Sequence, residues 1–355
     1  MHMEYMKRCL ELAQRGSSYA APNPMVGAVL VHDQRIIGEG WHQQYGKAHA
    51  EVNCLDSVIS EDRPLIPEST MYVSLEPCAH FGQTPPCATR LVAEKVKKVV
   101  IANIDPFEKV DGNGISMLQH AGIEVESGIL QEEGKWMNRR FFCFHQQSRP
   151  YIVLKWAESA EGNMAPADRS RTQLSNHFSS DLVQQWRTRE SSIIVGFNTA
   201  LHDNPRLTAR SWEGPQPLRI VLDRDLKLPA SHHLFNTDAP TWVINAHQDK
   251  EDNNVRLIRL PFDNNLLPAI LRLLHEHKKL SLIVEGGPAL LQSFIKQGLW
   301  DEARLFKTPV SVPDGIAAPA LGHADLVLEM PVYTDQLQLW TNKNTSYPYA
   351  AGMAI

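Results

Sequence analysis

The chain has 355 residues, of which 43% are hydrophobic and 21% charged, and its 35 basic and 40 acidic side chains give a formal charge of −5. That length suggests two domains or one large one, and the apolar fraction is sufficient for a substantial core. The mild negative charge argues against a nucleic-acid binder, which normally carries a basic surplus. No run of about 18 apolar residues predicts a membrane span.

Two further features predict a soluble, cytoplasmic protein. Glu4 and Glu11 lie where a signal peptide would have its apolar core. The five cysteines are few for a chain of this length, and their odd number does not suit a disulfide framework.

The first 145 residues alternate between helical and strand patterns. Helices are predicted over 3–15, from near 49, over 87–96 and near 115–120, and strands over 25–31, 36–40, 70–75 and 98–103. Strands and helices that alternate at this rhythm predict a three-layer α/β domain. The polar segment 145–150 has no apolar periodicity and is therefore the candidate linker.

Beyond residue 150 the pattern restarts. Strands are predicted over 151–157, 192–196, 217–223, 241–245 and 280–285, and helices over 176–190, 264–277 and 288–297. The chain shows no fixed-period repeat. We therefore expect two α/β domains in tandem, comprising residues 1–146 and 150–355.

The strongest chemical signal combines His49 and Glu51 with two cysteines that each follow a proline, Cys78 and Cys87. One imidazole and two thiolates supply three ligands for tetrahedral zinc and leave the fourth position open for water. Zinc lowers the pKa of such a water toward about 7, and a nearby carboxylate can then move protons without being a ligand. This pattern is typical of the zinc-dependent cytidine-type deaminases, which attack an amino-bearing ring carbon.

The spacing of these residues sets two local requirements. His49 and Glu51 can face one cleft only at the first turn of a helix, because positions i and i+2 otherwise point to nearly opposite sides. Cys87 follows Pro86, a favoured helix start, so the helix dipole should help to keep the Cys87 sulfur ionised.

Two other interpretations of this site stay open from the residues alone. The cysteines could be ordinary buried side chains beside a helix-start histidine. The site could also be a structural zinc site, which would need a fourth protein ligand such as His42 or His80 and would have no use for Glu51. The presence of the whole pattern favours the deaminase.

A family resemblance supports that interpretation. The stretch LEPCAHFGQTPPC at 75–87 closely resembles the deaminase half of the bifunctional riboflavin-biosynthesis deaminase/reductases, as do PNPMVG at 22–27 and AHAE at 48–51. The second half resembles the reductase partner domain, so the resemblance covers essentially the whole chain. It implies an N-terminal three-layer cytidine-deaminase-like domain and a C-terminal dihydrofolate-reductase-like domain.

The resemblance also implies two successive reactions, with Zn²⁺ and NADPH as cofactors. In the first, 2,5-diamino-6-ribosylamino-pyrimidinone 5′-phosphate loses its ring 2-amino group as ammonia. In the second, NADPH reduces the ribosyl group of the resulting 5-amino-6-(5-phosphoribosylamino)uracil to a ribityl chain. His49, Cys78 and Cys87 would hold zinc, and Glu51 would be the catalytic acid–base group. Asn23 would bind the pyrimidine, although a turn asparagine between two prolines is an alternative.

The reductase resemblance rests on LKWA at 154–157, NTALHDNPRLTAR at 198–210 and VEGGPAL at 284–290. Paired glycines between a strand and a helix let backbone N–H groups approach a phosphate, although they often form only a tight turn. The implied NADPH contacts are Ala157, Thr199, Asp203, Gly287 and Ser293, with Arg224 at the 2′-phosphate. The implied substrate contacts are Lys155, Arg187, Leu207, Arg210 and Glu285.

Among the departures from the family pattern, two bear directly on ligand binding. Gln83 stands where the family usually has Lys or Arg, so it can donate hydrogen bonds to the substrate phosphate but supplies no charge. Gln173 stands where the family has a tryptophan that helps to enclose the cofactor, an aromatic contact worth about 1 kcal/mol.

Two other functions are weighed beside the bifunctional enzyme. One is a monofunctional nucleotide or tRNA deaminase with a non-catalytic C-terminal domain, and the other is a non-enzymatic zinc-stabilised binding protein. The net charge and the lack of a basic stripe argue against tRNA. The expected partners are therefore a small phosphorylated pyrimidine and further copies of the chain in a homo-oligomer, without nucleic acid or membrane.

Overall fold

The computed structural model describes residues 2–79, 85–108 and 110–355, which form two compact units. One unit comprises Met1–Gln147 together with Tyr347–Ile355, and the other comprises Ser148–Ser346. Each unit builds helices around its own β-sheet, which confirms the predicted α/β class. In the described part of the chain, no helix is long and apolar enough to cross a membrane.

The last nine residues group with the first unit, whereas the expected boundaries place them in the second domain. Tyr347 is buried, and its hydroxyl donates to Oε1 of Gln146 at 3.0 Å. The indole Nε1 of Trp136 donates to the carbonyl oxygen of Ala354 at 3.0 Å. These long-range contacts join the C-terminus to the first unit, and the local sequence pattern carries no sign of them.

The elements of the first unit are α1 (His2–Gln14), β1 (Gly27–His32), β2 (Arg35–Trp41), α2 (Ala50–Asp56), a short 3-10 helix (Arg63–Glu68), β3 (Thr70–Leu75), α3 (Cys87–Ala93), β4 (Lys98–Asn103), α4 (Asn113–His120), β5 (Glu124–Ser127), α5 (Gln131–Met137) and α6 (Arg139–Gln147). The expected linker over 145–150 therefore begins inside a helix. Its residues 145–147 form the last turn of α6, whose Phe141, Phe142 and Phe144 are buried.

The sheet of the first unit has the strand order β2-β1-β3-β4-β5. β1 pairs with β2 and β3 in antiparallel fashion, whereas β3, β4 and β5 run parallel. β1, β3 and β4 are almost completely buried because apolar side chains occupy both of their faces. Because β3 and β4 run parallel, their carboxyl ends lie at the same edge of the sheet, where the chain continues toward Cys78 and Asp105.

The elements of the second unit are β6 (Tyr151–Glu158), β7 (Asn163–Pro166), α7 (His177–Arg189), β8 (Ser192–Val195), α8 (Phe197–Asp203), β9 (Leu218–Leu222), a short 3-10 helix (His233–Phe235), β10 (Thr241–Asn245), β11 (Lys250–Asp252), β12 (Val255–Arg259), α9 (Leu266–Glu276), β13 (Ser281–Val284), α10 (Pro288–Lys296), β14 (Glu302–Lys307), β15 (Gly315–Ala317), β16 (Ala324–Val332) and β17 (Asp335–Asn342).

Ten of these strands form one sheet in the order β11-β12-β10-β9-β8-β13-β6-β14-β17-β16. The strands from β12 to β14 in this order are parallel, and β11, β17 and β16 add antiparallel edges. β7 and β15 form a separate two-stranded ribbon. A block of parallel strands places many carboxyl ends along one edge, which is where α/β sheets bind ligands.

Candidate active sites

The predicted zinc ligands lie at the starts of two helices and after one strand of the first unit. His49 is the N-cap of α2 with extended backbone angles of φ −75° and ψ 169°, and Glu51 lies in the first turn of that helix. Cys78 lies in the segment after β3, and Cys87 is the first residue of α3. His49 and Glu51 therefore occupy the helix entry that their spacing requires.

The donor atoms of His49, Cys78 and Cys87 lie within 4.8 Å of one another. Nδ1 of His49 is 3.6 Å from Sγ of Cys78 and 3.3 Å from Sγ of Cys87. A tetrahedral zinc with bonds of about 2.0 Å to nitrogen and about 2.3 Å to sulfur would set these distances near 3.6 Å. The three residues fit a zinc ion, and the ion would supply a Lewis acid that activates water.

The start of α3 stabilises a thiolate, but the sulfur concerned is that of Cys78. The backbone N–H of Cys87 donates to Sγ of Cys78 at 3.3 Å. The pKa of Cys78 is lowered to about 4, chiefly by a hydrogen bond with the Cys87 thiol and further by hydrogen bonds with His49 and the Cys87 backbone N–H. The sequence expectation assigned the effect of the helix start to Cys87. Here the first unsatisfied N–H of the helix points at its neighbour across the site.

Glu51 is a buried carboxyl group beside the proposed ligands. Only 3% of its surface is exposed, and this burial raises the pKa of Glu51 to about 7. A carboxyl group whose pKa lies near neutrality can both accept and release a proton at physiological pH. A purely structural zinc site would have no use for such a group, so its burial favours a catalytic site.

Asn23 lies close to the zinc ligands through His42. Nδ2 of Asn23 is 3.2 Å from Nε2 of His42, and Nδ1 of His42 is 3.1 Å from the carbonyl oxygen of Ala48. The His42 ring meets the His49 ring edge-on, with centroids 5.3 Å apart. Because both ring nitrogens of His42 have partners, His42 is not the fourth ligand considered for a structural site. His80 and Gln83 lie outside the described residues.

Asp105 is a buried residue of this region that the sequence analysis did not identify. It follows β4, and its backbone N–H donates to Oε2 of Glu76 at 3.2 Å. Burial is the main cause that raises the pKa of Asp105 to about 7, and the nearby charges of Glu76 and Cys78 contribute to that rise. The signal that could have found it is topological, because residues after two adjacent parallel strands meet at one edge.

The second unit contains a cavity of about 830 Å³ at the carboxyl edge of its parallel strands. Ala157 lines it near the end of β6, Gly196 follows β8, Asp223 follows β9 and Glu285 follows β13. The volume lies within the range of natural small-molecule and cofactor sites.

Nine of the eleven residues predicted for the reductase line this cavity: Lys155, Ala157, Arg187, Thr199, Asp203, Arg210, Arg224, Glu285 and Gly287. The other two do not. The hydroxyl of Ser293 donates to the carbonyl oxygen of Ala289 at 2.8 Å within α10. Leu207 is only 2% exposed and has a positive φ of 54°, so its backbone shapes the loop while its side chain is buried.

Two helices, α8 and α10, contribute expected cofactor contacts. Thr199 and Asp203 are four residues apart on α8, so their side chains share one face of the helix. Gly287 is the N-cap of α10, and a Cβ at this position would lie 3.1 Å from Oγ1 of Thr199. Glycine at 287 therefore keeps the space between the two helix starts open, as backbone binding of a phosphate requires.

A buried ion pair lies in the cavity between two predicted substrate residues. Nε and Nη2 of Arg187 donate to the two carboxylate oxygens of Glu285 at 3.0 and 2.8 Å. Nη1 of Arg187 donates to the carbonyl oxygen of Thr208. The pKa of Lys155 is lowered by burial, and the nearby Glu285 charge offsets only part of this effect. Burial opposes the ionisation of Glu285, but Arg187 and Lys155 together lower its pKa. The three side chains form one charged group in the cavity wall.

The loop that carries Arg210 is held by glutamines that the sequence patterns did not identify. The backbone N–H of Arg210 donates to Oε1 of Gln184 at 2.8 Å. Gln216 accepts from the N–H of Ala209 at 2.8 Å and donates to its carbonyl oxygen at 2.9 Å. No local motif signals these residues: Gln184 acts on a segment 26 residues away, and Gln216 acts across the turn of its own loop, seven residues away.

Comparisons with known proteins match both units. Residues 1–103 match the cytidine and deoxycytidylate deaminase zinc-binding region, and residues 150–323 match the RibD C-terminal domain. The riboflavin biosynthesis protein RibD of Aquifex aeolicus is 38% identical over 325 residues, which cover 90% of each chain. The chain belongs to the RibD family. RibD of Bacillus amyloliquefaciens is 37% identical and covers 90% of this chain and 88% of its own.

A solved structure extends this agreement to the whole fold. The diaminohydroxyphosphoribosylaminopyrimidine deaminase/5-amino-6-(5-phosphoribosylamino)uracil reductase of Thermotoga maritima has a TM-score of 0.88 at 30% identity. The match covers 96% of this chain and 98% of the Thermotoga chain. The family resemblance and the two-part fold expected from the sequence are confirmed. As a RibD family member, the chain combines a zinc-dependent deaminase with an NADPH-dependent reductase.

Proposed function

We propose that the chain catalyses both reactions expected from its sequence. It would first deaminate the diaminopyrimidinone ribosyl phosphate and then reduce the ribosyl group of the product with NADPH. Residues 1–146 would carry the deaminase. Residues 150–355 would carry the reductase, except for the last nine residues, which group with the first unit. The observation that carries the proposal is the combination of a zinc-compatible triad with a buried Glu51 and a separate, charge-lined cavity.

In the deaminase, His49, Cys78 and Cys87 would hold zinc, which activates water when bound. Glu51 would take a proton from the attacking water and transfer it to the ring nitrogen, and would then carry the proton of the newly added hydroxyl group to the departing amine. Asn23 would hydrogen-bond the pyrimidine, because its amide lies beside His42 and close to His49. Ammonia and the corresponding uracil would leave the site.

In the reductase, NADPH would supply a hydride to C1′ of the ribosyl group. Lys155 lines the cavity, where the charge of Glu285 acts on it, and it would donate the proton to the ring oxygen O4′ as the bond between C1′ and O4′ breaks. Arg210 would bind the substrate phosphate, as guanidinium groups suit bidentate contacts to phosphate, and Arg187 would contact it with the N–H groups that Glu285 and Thr208 leave free. Thr199, Asp203, Arg224 and Gly287 would bind NADPH. Ala157 lines the same cavity and would contact the cofactor through its backbone.

Two site-separated variants test this division. Glu51→Ala should abolish ammonia release but retain the zinc content, because Glu51 is not one of the three donors. Asp203→Ala should weaken NADPH oxidation and leave deamination unchanged. The matched comparison is the effect of each variant on the other reaction. Equal damage to both activities by both variants would contradict two separate sites.

We further propose that the chain forms a homo-oligomer in the cytoplasm and binds no nucleic acid. Zinc thiolates require reduced cysteines, which a reducing compartment supplies. An exposed edge strand supports self-association, since Leu326 and Met330 of β16 and the adjacent Tyr333 are 43%, 39% and 76% exposed. Sedimentation that gives a monomer mass at micromolar concentration would contradict the oligomer.

A further inference from the structure

Asn138 lies between α5 and α6 and binds the backbone of a residue far away in the sequence. Its Oδ1 accepts from the N–H of Met25 at 2.8 Å, and its Nδ2 donates to the carbonyl oxygen of Met25 at 2.8 Å. Asn138 is only 3% exposed. Both backbone groups of Met25 are thus satisfied by one amide, as they would be by a neighbouring strand.

The backbone of Asn138 is itself fixed by the helices on either side. Its N–H donates to the carbonyl of Gly134 at 3.1 Å, and its carbonyl accepts from the N–H of Phe142 at 3.0 Å. The Met25 side chain packs in one apolar cluster with Leu10, Ala13, Met137 and Met353. Met25 is therefore held through its backbone by Asn138 and through its side chain by this cluster.

Only Pro24, whose φ is fixed by its ring, separates Met25 from Asn23. At the other end of the loop the N–H of Asn23 donates to the carbonyl of Ala20 at 2.9 Å. The Asn23 amide then reaches His42, and the backbone N–H of His42 donates to the carbonyl of Val26 at 2.9 Å. A movement of Met25 would therefore displace Asn23 and its contact with His42 together.

We infer that Asn138 is a positioning residue of the deaminase, which acts through Met25 on the loop that presents Asn23 to the pyrimidine. This inference rests on the proposed deaminase function. Asn138 does not touch the zinc ligands, and the loop it holds carries a substrate contact and no ligand. Its loss should therefore weaken substrate binding more than it slows the chemical step or reduces the zinc content.

The test compares Asn138→Ala and Asn138→Asp with Ser69→Ala in the full-length, zinc-loaded protein. The aspartate keeps the volume of asparagine and the acceptor for the Met25 N–H but places an oxygen where the donor to the Met25 carbonyl was, whereas alanine removes both hydrogen bonds, so the two variants break the contact in different ways. Ser69 is the matched control because it is buried and its hydroxyl donates to the carbonyl of Leu65 at 2.7 Å. It precedes β3 and so lies at the end of the strand opposite to Cys78.

We expect each Asn138 variant to raise the KM for the diaminopyrimidinone ribosyl phosphate about tenfold, which corresponds to ~1.4 kcal/mol of binding energy. The value of kcat and the zinc content should stay close to those of wild type, and Ser69→Ala should lower Tm without a change in KM. An unchanged KM in both Asn138 variants, or the same KM rise in Ser69→Ala, would overturn the positioning role. A wild-type protein that releases no ammonia would instead overturn the deaminase proposal on which this role depends.

Discussion

Removing one side chain of the Arg187–Glu285 pair should destabilise the protein by more than the intact pair stabilises it. The reason is that the remaining charge would be buried without a counterion. The two side chains are only 10% and 9% exposed, and two hydrogen bonds of 3.0 and 2.8 Å join them. Glu285→Met would also remove the carboxylate whose charge offsets the repulsion between Lys155 and Arg187. Breaking a buried pair on one side costs about 3–5 kcal/mol.

For a unit of this size, each kcal/mol lost from the free energy of unfolding lowers Tm by about 2–4 °C. The Tm of each single variant should therefore be roughly 6–20 °C lower than that of wild type. The double variant Arg187→Met/Glu285→Met removes both charges and should lose less than the sum of the single losses. Calorimetry of the four proteins measures the coupling free energy as a double-mutant cycle. Losses that add to within about 0.5 kcal/mol would refute the argument. All three variants should retain deamination.

Three further predictions concern single features of the fold. Hydrogen bonds led by the N–H of Val312 lower the pKa of Glu161 to about 2 from 4.5. Its stabilisation should therefore be present above pH 4.5 and disappear toward pH 2, so Glu161→Gln should flatten the fall of Tm between pH 5 and 3. An equally steep fall in the variant would contradict this role. A Cβ at Gly114 would overlap the carbonyl oxygen of Pro77, which precedes Cys78. Gly114→Ala should consequently lower both Tm and zinc content; full zinc occupancy would contradict the prediction. Deletion of residues 347–355 would expose Trp136, which is fully buried, and remove Met353 from the cluster around Met25. We expect a several-fold higher KM for deamination with NADPH oxidation unchanged, and an unchanged deamination KM would show that the tail does not support the loop.

The sequence predicted best those elements whose apolar runs are continuous and bounded by polar residues. The predicted strands over 70–75, 98–103 and 241–245 coincide with β3, β4 and β10, which are buried on both faces. The pattern failed where burial comes from distant parts of the chain. The polar end of α6 was interpreted as a linker, although the phenylalanines before it lie in the core. The edge strand β16 was missed because most of it is exposed and lacks clear alternation.

The same limit applies to the candidate sites: local motifs were predictable, whereas pairings between distant segments were not. Residue type and spacing identified the zinc triad, because the chemistry of the metal restricts its ligands to a few side chains. The mutual pairing of Arg187 and Glu285, 98 residues apart, was not predictable from local spacing. The same holds for Asn138 and Met25, which are 113 residues apart. Contacts at such separations depend on the order of strands and helices in the fold, and a local pattern carries no record of that order.

The central claim is that one chain performs two successive reactions at two separate sites. The most direct measurement supplies the purified protein with the diaminopyrimidinone ribosyl phosphate, with and without NADPH, and follows ammonia, NADPH absorbance and the pyrimidine products. We predict ammonia and the ribosylaminouracil phosphate without NADPH, and the ribityl product together with an equimolar loss of NADPH when it is added. Ammonia release with no consumption of NADPH would contradict the claim and leave a monofunctional deaminase.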